Sequence, residues 1–199
     1  MKNKTSNYDD LLNSFGDDLT TVSYDSANNC SMITDNLYMV NVDRFKDNLV
    51  TTFPLAGSPQ TCDALYKCKN EYFLIEFKNG KLEDNSKSSF VPDRSQFYDI
   101  IRKIFESLLL LNEDLKCTIN DTRKSFIFIL VFNENKNGYL KIKDKTTKLG
   151  YKNKPLPLSP LSEILPNDFN VKYFDKLYFK GVFICSKTTF EKEFVEKYR

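Results

Sequence analysis

Histidine is absent from this chain of 199 residues, and so is tryptophan. Histidine is the side chain whose ordinary pKa lies closest to neutral pH, so it is the usual base and nucleophile partner in enzymes. Its absence excludes Ser-His and Cys-His nucleophile pairs, histidine-based metal clusters and every mechanism that needs a histidine base. Mechanisms that combine carboxylates, a metal ion and a lysine are not excluded.

The chain also lacks long apolar segments. No apolar run approaches the roughly 20 residues that a membrane-spanning helix needs, and the first ten residues lack the apolar stretch of a signal peptide. The five cysteines are odd in number and show no C-x-x-C spacing. We therefore expect reduced thiols in a cytoplasmic protein without a membrane partner.

Length and charge suggest one domain with two unlike parts. A chain of this size fits a single domain over residues 1–199, and its 17 Phe and 11 Tyr can supply a large core. Residues 1–60 carry four basic and eight acidic side chains, whereas residues 61–199 carry 25 basic and 19 acidic ones. We expect an acidic N-terminal region of helices and loops, followed by a core.

Polar side chains stand out in a predicted hairpin. Residues 62–68 and 72–78 read as its two strands, and the second strand is apolar on both faces until its last three residues, which is typical of a central strand. Glu76 and Lys78 are two residues apart and so project from the same face. Burying such charges is costly unless they are paired or hold a metal.

The register of the hairpin decides which residue Asp63 faces. A turn of two residues sets Asp63 opposite Glu76, and a turn of four residues sets it opposite Lys78. In both cases the three side chains share one face, with opposed side chains about 5 Å apart. A turn of three residues would instead set Asp63 opposite Phe77, on the other face.

Two carboxylates at that spacing suit a hard divalent cation. Mg²⁺, or Mn²⁺ in its place, takes oxygen ligands and keeps several waters. We therefore predict a cation held by Asp63 and Glu76, with the ammonium of Lys78 positioning an attacking water or helping to deprotonate it.

Asp63, twelve intervening residues and then Glu76-Phe77-Lys78 resemble the signature of the PD-(D/E)XK nuclease superfamily. The resemblance implies a restriction-endonuclease-like α/β sandwich, in which a mixed central β-sheet is flanked by helices. It also implies that these three residues form a Mg²⁺-dependent phosphodiesterase site acting on DNA, with RNA as the second choice. The chain departs from the family pattern at Cys62, where a proline is expected.

The chain lacks one further feature of the family and offers candidates for another. The Gln-x-x-x-Tyr signature of one branch is not met, because Gln96 and Tyr98 are only two positions apart. The resemblance also implies an additional acid on a helix that precedes the Asp strand. The candidates are Asp9, Asp10, Asp43 and Asp47.

Nucleic-acid contacts are predicted at two places. The best helix runs from Arg94 to Asn112 with Asp93 as its cap, and Gln96 in its first turn could reach the site. A lysine cluster could neutralise phosphates, although a solvated lysine-rich loop explains it equally well. Its central members are Lys141, Lys143, Lys145 and Lys148.

Other elements follow from apolar spacing and turn signals. We predict helices over 8–15, capped by Asn7 or Ser6 and ended by Gly16, and over 41–50. Strands are predicted over 124–132 and 176–185, with a closing helix capped by Thr188 or Thr189.

Two functions of different classes are compatible with the sequence. The first is a metal-dependent nuclease. The second is a catalytically silent binding module of the same fold, such as an immunity or defence-system protein that binds a partner protein. In a third interpretation, which assigns no function to these residues, Glu76 and Lys78 form an exposed pair and Asp63 is an unrelated turn residue.

Overall fold

The computed structural model describes residues 7–52, 57–82, 94–137, 159–160, 174 and 176–199. Strands and helices are numbered in chain order within these ranges. The strands are β1 Gly16–Asp18, β2 Tyr24–Asp25, β3 Cys30–Ser31, β4 Tyr38–Asn41, β5 Ala64–Cys68, β6 Glu71–Lys78, β7 Phe126–Phe132, β8 Ser159–Pro160 and β9 Gly181–Ser186. The helices are α1 Tyr8–Phe15, α2 Leu19–Val22, α3 Val42–Thr52, α4 Arg94–Leu115, α5 Ile119–Ser125, α6 Lys187–Phe190, a π-helix Glu191–Val195 and α7 Glu196–Tyr198.

One mixed sheet carries the fold. Among the described residues its strand order is β1-β4-β5-β6-β7-β9-β8, in which β8 adds only two residues. The pairs from β1 to β6 are antiparallel, whereas β6, β7 and β9 run parallel to one another. Parallel neighbours need a crossover connection, and α4 and α5 lie in the chain between β6 and β7. The predicted α/β class with a mixed sheet is therefore confirmed.

Apolar side chains cover both faces of the sheet. One cluster joins alternate residues of the central strands, such as Leu74 and Phe128, to α1, α3 and α4. The other joins Phe73 and Ile129 to the helical turns at the chain's end, including Phe194. All seven residues of β7 are buried, as the continuous apolar run predicts for a strand covered on both sides.

Three predicted helices are confirmed, the first of them with its cap. The side chain of Asn7 accepts a hydrogen bond from the backbone N–H of Asp10, which caps α1, and Gly16 follows its last residue. The helices predicted over 41–50 and 94–112 are present as the slightly longer α3 and α4. The predicted cap Asp93 lies outside the described residues.

The C-terminal predictions need correction. The strand predicted over 176–185 is observed only as Gly181–Ser186. The preceding residues form a turn, because Lys176 has a left-handed backbone with φ 62° and its N–H donates to the carbonyl oxygen of Phe179. The cap of the closing helix is Ser186, whose hydroxyl accepts from the Thr189 N–H, and not Thr188 or Thr189.

Residues 1–60 and 119–125 also differ from expectation. The N-terminal region, predicted as helices and loops, supplies β1 and β4 to the same sheet as the predicted core. The strand predicted to start at Lys124 begins at Phe126, because Thr118 and Asp121 cap a helix over the preceding residues. The sequence analysis did not predict this helix.

The described helices differ from membrane-spanning ones. None of them has both the length and the apolar character that a transmembrane span requires.

Candidate functional site

The hairpin turns through two residues, Lys69 and Asn70. This is the register in which Asp63 is expected to face Glu76. Cys68 pairs with Glu71 and Ala64 pairs with Ile75, so the position opposite Glu76 is that of Asp63. The turn residue Lys69 has φ 54°, a left-handed backbone that suits a tight hairpin turn.

Asp63 lies immediately before β5 and is held by its backbone and its side chain. Its backbone N–H donates to Ile75 O at 3.1 Å, and its carbonyl accepts from the Val42 N–H, also at 3.1 Å. Its carboxylate Oδ2 accepts from the Phe77 N–H at 2.6 Å. This leaves Oδ1 as the less engaged oxygen of a carboxylate that is 17% exposed.

Glu76 is a charged residue inside the core, only 1% exposed. Its Oε1 accepts from Lys103 Nζ at 2.7 Å, whereas its buried Oε2 has no hydrogen-bond partner among the described residues. Burial raises the pKa of the Glu76 carboxyl, and the neighbouring Asp63 carboxylate raises it further, while Lys103 acts in the opposite direction. An unsatisfied buried carboxylate oxygen is costly, which indicates a ligand or a functional use.

Lys103 joins the two carboxylates. Its Nζ lies 2.7 Å from Glu76 Oε1 and 3.6 Å from Asp63 Oδ1. Burial alone would lower the pKa of this ammonium, but the Asp63 and Glu76 carboxylates raise it above its ordinary value. The pKa of Asp63 is raised by burial, against the influence of Lys103 and of the Phe77 N–H.

The sequence analysis did not assign Lys103 to the site. A usable signal was present, because Gln96 and Lys103 are seven residues apart and such positions lie on the same side of an α-helix. Ile100, which lies between them on that side, is buried against the sheet. Lys103 lies within the apolar stripe of the helix, where a charged side chain is not expected.

Asp63, Glu76, Lys78 and Gln96 line a single cavity of about 330 Å³ together with Lys103. Lys78 is half-buried at the end of β6 and, by strand alternation, lies on the same face as Glu76. The placement expected for the three hairpin residues and for Gln96 is therefore observed. Residues 22–28, around β2, also line this cavity.

Asp43 is the candidate additional acid for which a link to Asp63 is seen. The Asp43 carboxylate contributes to raising the pKa of Asp63. It is itself engaged by the Thr61 hydroxyl at 2.7 Å and by Lys46 Nζ at 3.0 Å. Asp10 belongs to the cap of α1, and Asp47 pairs with Lys46.

The donor set for a cation consists of two carboxylates. Across the described ranges, no three acidic or cysteine side chains come together as a possible metal group. Mg²⁺ is commonly held by one or two carboxylates, with waters and substrate phosphates completing its octahedral shell. Glu76 Oε2, for which the described residues offer no hydrogen-bond partner, and Asp63 Oδ1 fit such a role.

The remaining predicted contacts cannot be placed. Lys141, Lys143, Lys145 and Lys148 all lie outside the described residues. Their proposed role in binding nucleic acid stays a prediction.

Comparisons of this chain with models of protein families, with curated proteins and with solved structures find no significant match. Its chemistry therefore has to be inferred from the side chains around the cavity. Three carboxylates, two ammonium groups and three amides line it, and Asp25 is the carboxylate besides Asp63 and Glu76.

Proposed function

We propose that the protein is a metal-dependent phosphodiesterase that cleaves nucleic acid, with DNA preferred over RNA. The observation that carries this proposal is the convergence of Asp63, Glu76 and Lys78 on one cavity. Their order and spacing resemble the PD-(D/E)XK signature. The restriction-endonuclease-like fold belongs to the proposal, and it is supported by an Asp-bearing hairpin followed by a helix and a parallel strand.

Asp63 and Glu76 would hold Mg²⁺ or Mn²⁺ through Oδ1 and Oε2. When bound, the cation would act as a Lewis acid on a phosphate oxygen of the substrate. The backbone N–H of Phe77 fixes the Asp63 carboxylate, and burial among apolar side chains fixes Glu76. A pre-positioned ligand pair of this kind loses little freedom on binding.

Lys78 would act on the substrate side of the site. Its half-buried ammonium lines the cavity beside Glu76. From there it can orient the attacking water and stabilise the negative charge that develops on the phosphoryl oxygens. Gln96, which lines the same cavity, can donate a hydrogen bond to a phosphate or a base.

The test is cleavage of plasmid DNA by the purified protein with added MgCl₂ or MnCl₂. We expect metal-dependent cleavage that falls at least about a hundredfold in Asp63→Ala, Glu76→Ala and Lys78→Ala, since each removes a group that acts on the transition state. Circular dichroism and thermal unfolding verify that each variant retains its fold.

Lys124→Ala is the matched control for Lys78→Ala. Lys124 is exposed and precedes the start of β7, whereas Lys78 is the last residue of β6. Because β6 and β7 are parallel neighbours, the two lysines lie at opposite ends of these strands. Its removal changes the net charge equally and should leave cleavage unchanged. Full activity in Lys78→Ala would remove the proposed mechanism.

A second function is favoured by one specific observation. The ammonium of Lys103 already sits beside both carboxylates, as a fixed internal cation would in a protein that has no catalytic metal. In that case the chain is a binding module, such as an immunity or defence-system protein. A titration with Mn²⁺ separates the two functions, because the module would bind a partner protein tightly at 1:1 without metal.

A further inference from the structure

Lys103 forms ion pairs with Asp63 and Glu76, although it is not part of the sequence motif formed by Asp63, Glu76 and Lys78. Its Nζ contacts both carboxylates and its side chain is 25% exposed, although it projects from the face of α4 that packs on the sheet. The neighbouring residues Ile100 and Ile104 are buried. The helix therefore holds this ammonium at the carboxylates by apolar packing on both sides.

The charges at this point must be balanced. Asp63 and Glu76 are adjacent carboxylates in a mostly buried setting, where like charges repel strongly. Lys103 supplies one positive charge to the pair. A divalent cation that bound the same pair would lie close to Nζ and would be repelled by it, with little water between them to screen the repulsion.

We propose that Lys103 is the internal counter-cation of the Asp63–Glu76 pair and that it sets the pair's affinity for divalent cations. In the metal-free protein its ammonium offsets one of the two negative charges of the pair and contacts both carboxylates. A divalent cation binds only by competing with that ammonium, so the affinity is weaker than two free carboxylates would give. This inference deepens the proposed function, on which it rests for the identity of the cation ligands.

Competition of this kind would also give Lys103 and Lys78 different roles. Lys103 forms the ion pairs with both carboxylates, and Lys78 lines the cavity at the strand end. Lys103 is then a positioning residue that controls cation loading, while Lys78 faces the substrate.

The experiment measures binding of MnCl₂ alone, without nucleic acid, from the electron paramagnetic resonance signal of free Mn²⁺. We expect Lys103→Met to bind Mn²⁺ at least about tenfold more tightly than the unchanged protein, because the competing charge is gone. Lys103→Arg keeps the charge and should bind as weakly as the unchanged protein. A residue with a merely structural role would not produce tighter binding when removed.

Lys116→Met is the matched control. Lys116 follows the end of α4, thirteen residues from Lys103 and so about 20 Å along the helix axis, and it pairs with the exposed Glu113. The same chemical change there should leave Mn²⁺ affinity unchanged.

Loss of Lys103 exposes two carboxylates to mutual repulsion, so folding is followed in the same samples. Lys103→Gln keeps a hydrogen-bond donor for Glu76 without the charge and serves as the second variant, with the same expected gain in affinity. If neither variant folds without metal, the return of a cooperative thermal unfolding transition on addition of MnCl₂ would support the proposal. Absence of that rescue would overturn it.

The outcomes distinguish this inference from the proposed function. If the unchanged protein binds Mn²⁺ and cleaves DNA but Lys103→Met binds no more tightly, the role of Lys103 is overturned and the nuclease stands. If the unchanged protein neither binds nor cleaves while Lys103→Met binds Mn²⁺, the role of Lys103 is supported and the nuclease is overturned. Absence of Mn²⁺ binding in both overturns both.

Discussion

Glu76 is more deeply buried than either of the charged side chains it faces, Asp63 and Lys103. It is buried, its Oε2 has no partner in the described part of the chain, and its Oε1 depends on one lysine. A polar atom left unsatisfied in a core destabilises the fold. Such a residue is kept where it serves chemistry, which is consistent with a cation ligand.

The raised pKa of Glu76 predicts how stability changes with pH. A carboxyl whose pKa is higher in the folded than in the unfolded state binds more protons when folded. Its stabilising contribution is complete below the unfolded pKa, at about pH 4, and is lost as the pH rises towards and through the folded value. Above pH 5 the metal-free protein should therefore lose stability relative to Glu76→Gln.

This prediction is checked by urea denaturation of both proteins between pH 5 and 8 with a chelator present. The difference in free energy of unfolding should move steadily in favour of Glu76→Gln as the pH rises. A difference independent of pH would mean that Glu76 is ionised alike in both states.

At the scale of elements, the sequence predicts best where apolar periodicity is long. The stripe of α4 and the continuous run of β7 are of this kind, and both elements are present. Short elements such as α5 and β1 have too few residues to show a period, and isolated short helices are unstable on their own. Their formation depends on caps and on neighbouring strands.

The cap of α5 is the clearest example. Thr118 and Asp121 form a reciprocal capping box, in which each side chain accepts from the other's backbone N–H. Thr118→Ala should lower the free energy of unfolding by about 0.5–2 kcal/mol, measured by urea denaturation. Thr51→Ala is the control, because the Thr51 hydroxyl bonds only within its helix, to Asn48 O. Equal effects of the two changes would contradict a capping role.

At the scale of the whole molecule, the site is assembled from distant parts of the chain. The hairpin supplies Asp63, Glu76 and Lys78, the crossover helix α4 supplies Lys103, and residues 22–28 supply further lining side chains. Tertiary hydrogen bonds link α4 to the segment before Asp63, and one of them runs from the Gln60 N–H to the Glu106 carboxylate. The Cys62 N–H donates to the buried Ser107 hydroxyl at 2.7 Å.

Ser107→Ala tests whether that link positions the site. The change leaves the buried Cys62 N–H without its acceptor, which should cost about 1–3 kcal/mol of stability and displace Asp63 from Glu76, so that the two carboxylates no longer face one cation. We expect weaker Mn²⁺ binding and slower cleavage at a temperature where the variant stays folded. Ser125→Ala is the control, since the Ser125 hydroxyl bonds only to Asp121 O within α5, and its binding should not change.

Neither the contacts of Lys103 nor the cavity could be derived from the sequence. Strand alternation ties Glu76 to Lys78 through local geometry, and the turn length then decides which residue faces Asp63. Three turn lengths were open, and the structure has the two-residue turn. No local rule states which helix residue reaches a given strand, because that depends on how the helix crosses the sheet.

The amino-acid sequence by itself determined the α/β class, the hairpin with its three polar residues and the exclusion of histidine chemistry. These follow from periodicity and composition, which act over a few neighbouring residues. Only the tertiary structure decided the register of the hairpin, the joining of the N-terminal strands to the sheet and the placement of Lys103 between two carboxylates. Each of these depends on packing between segments far apart in the chain, where the free energy of burial selects one arrangement among several that local geometry permits.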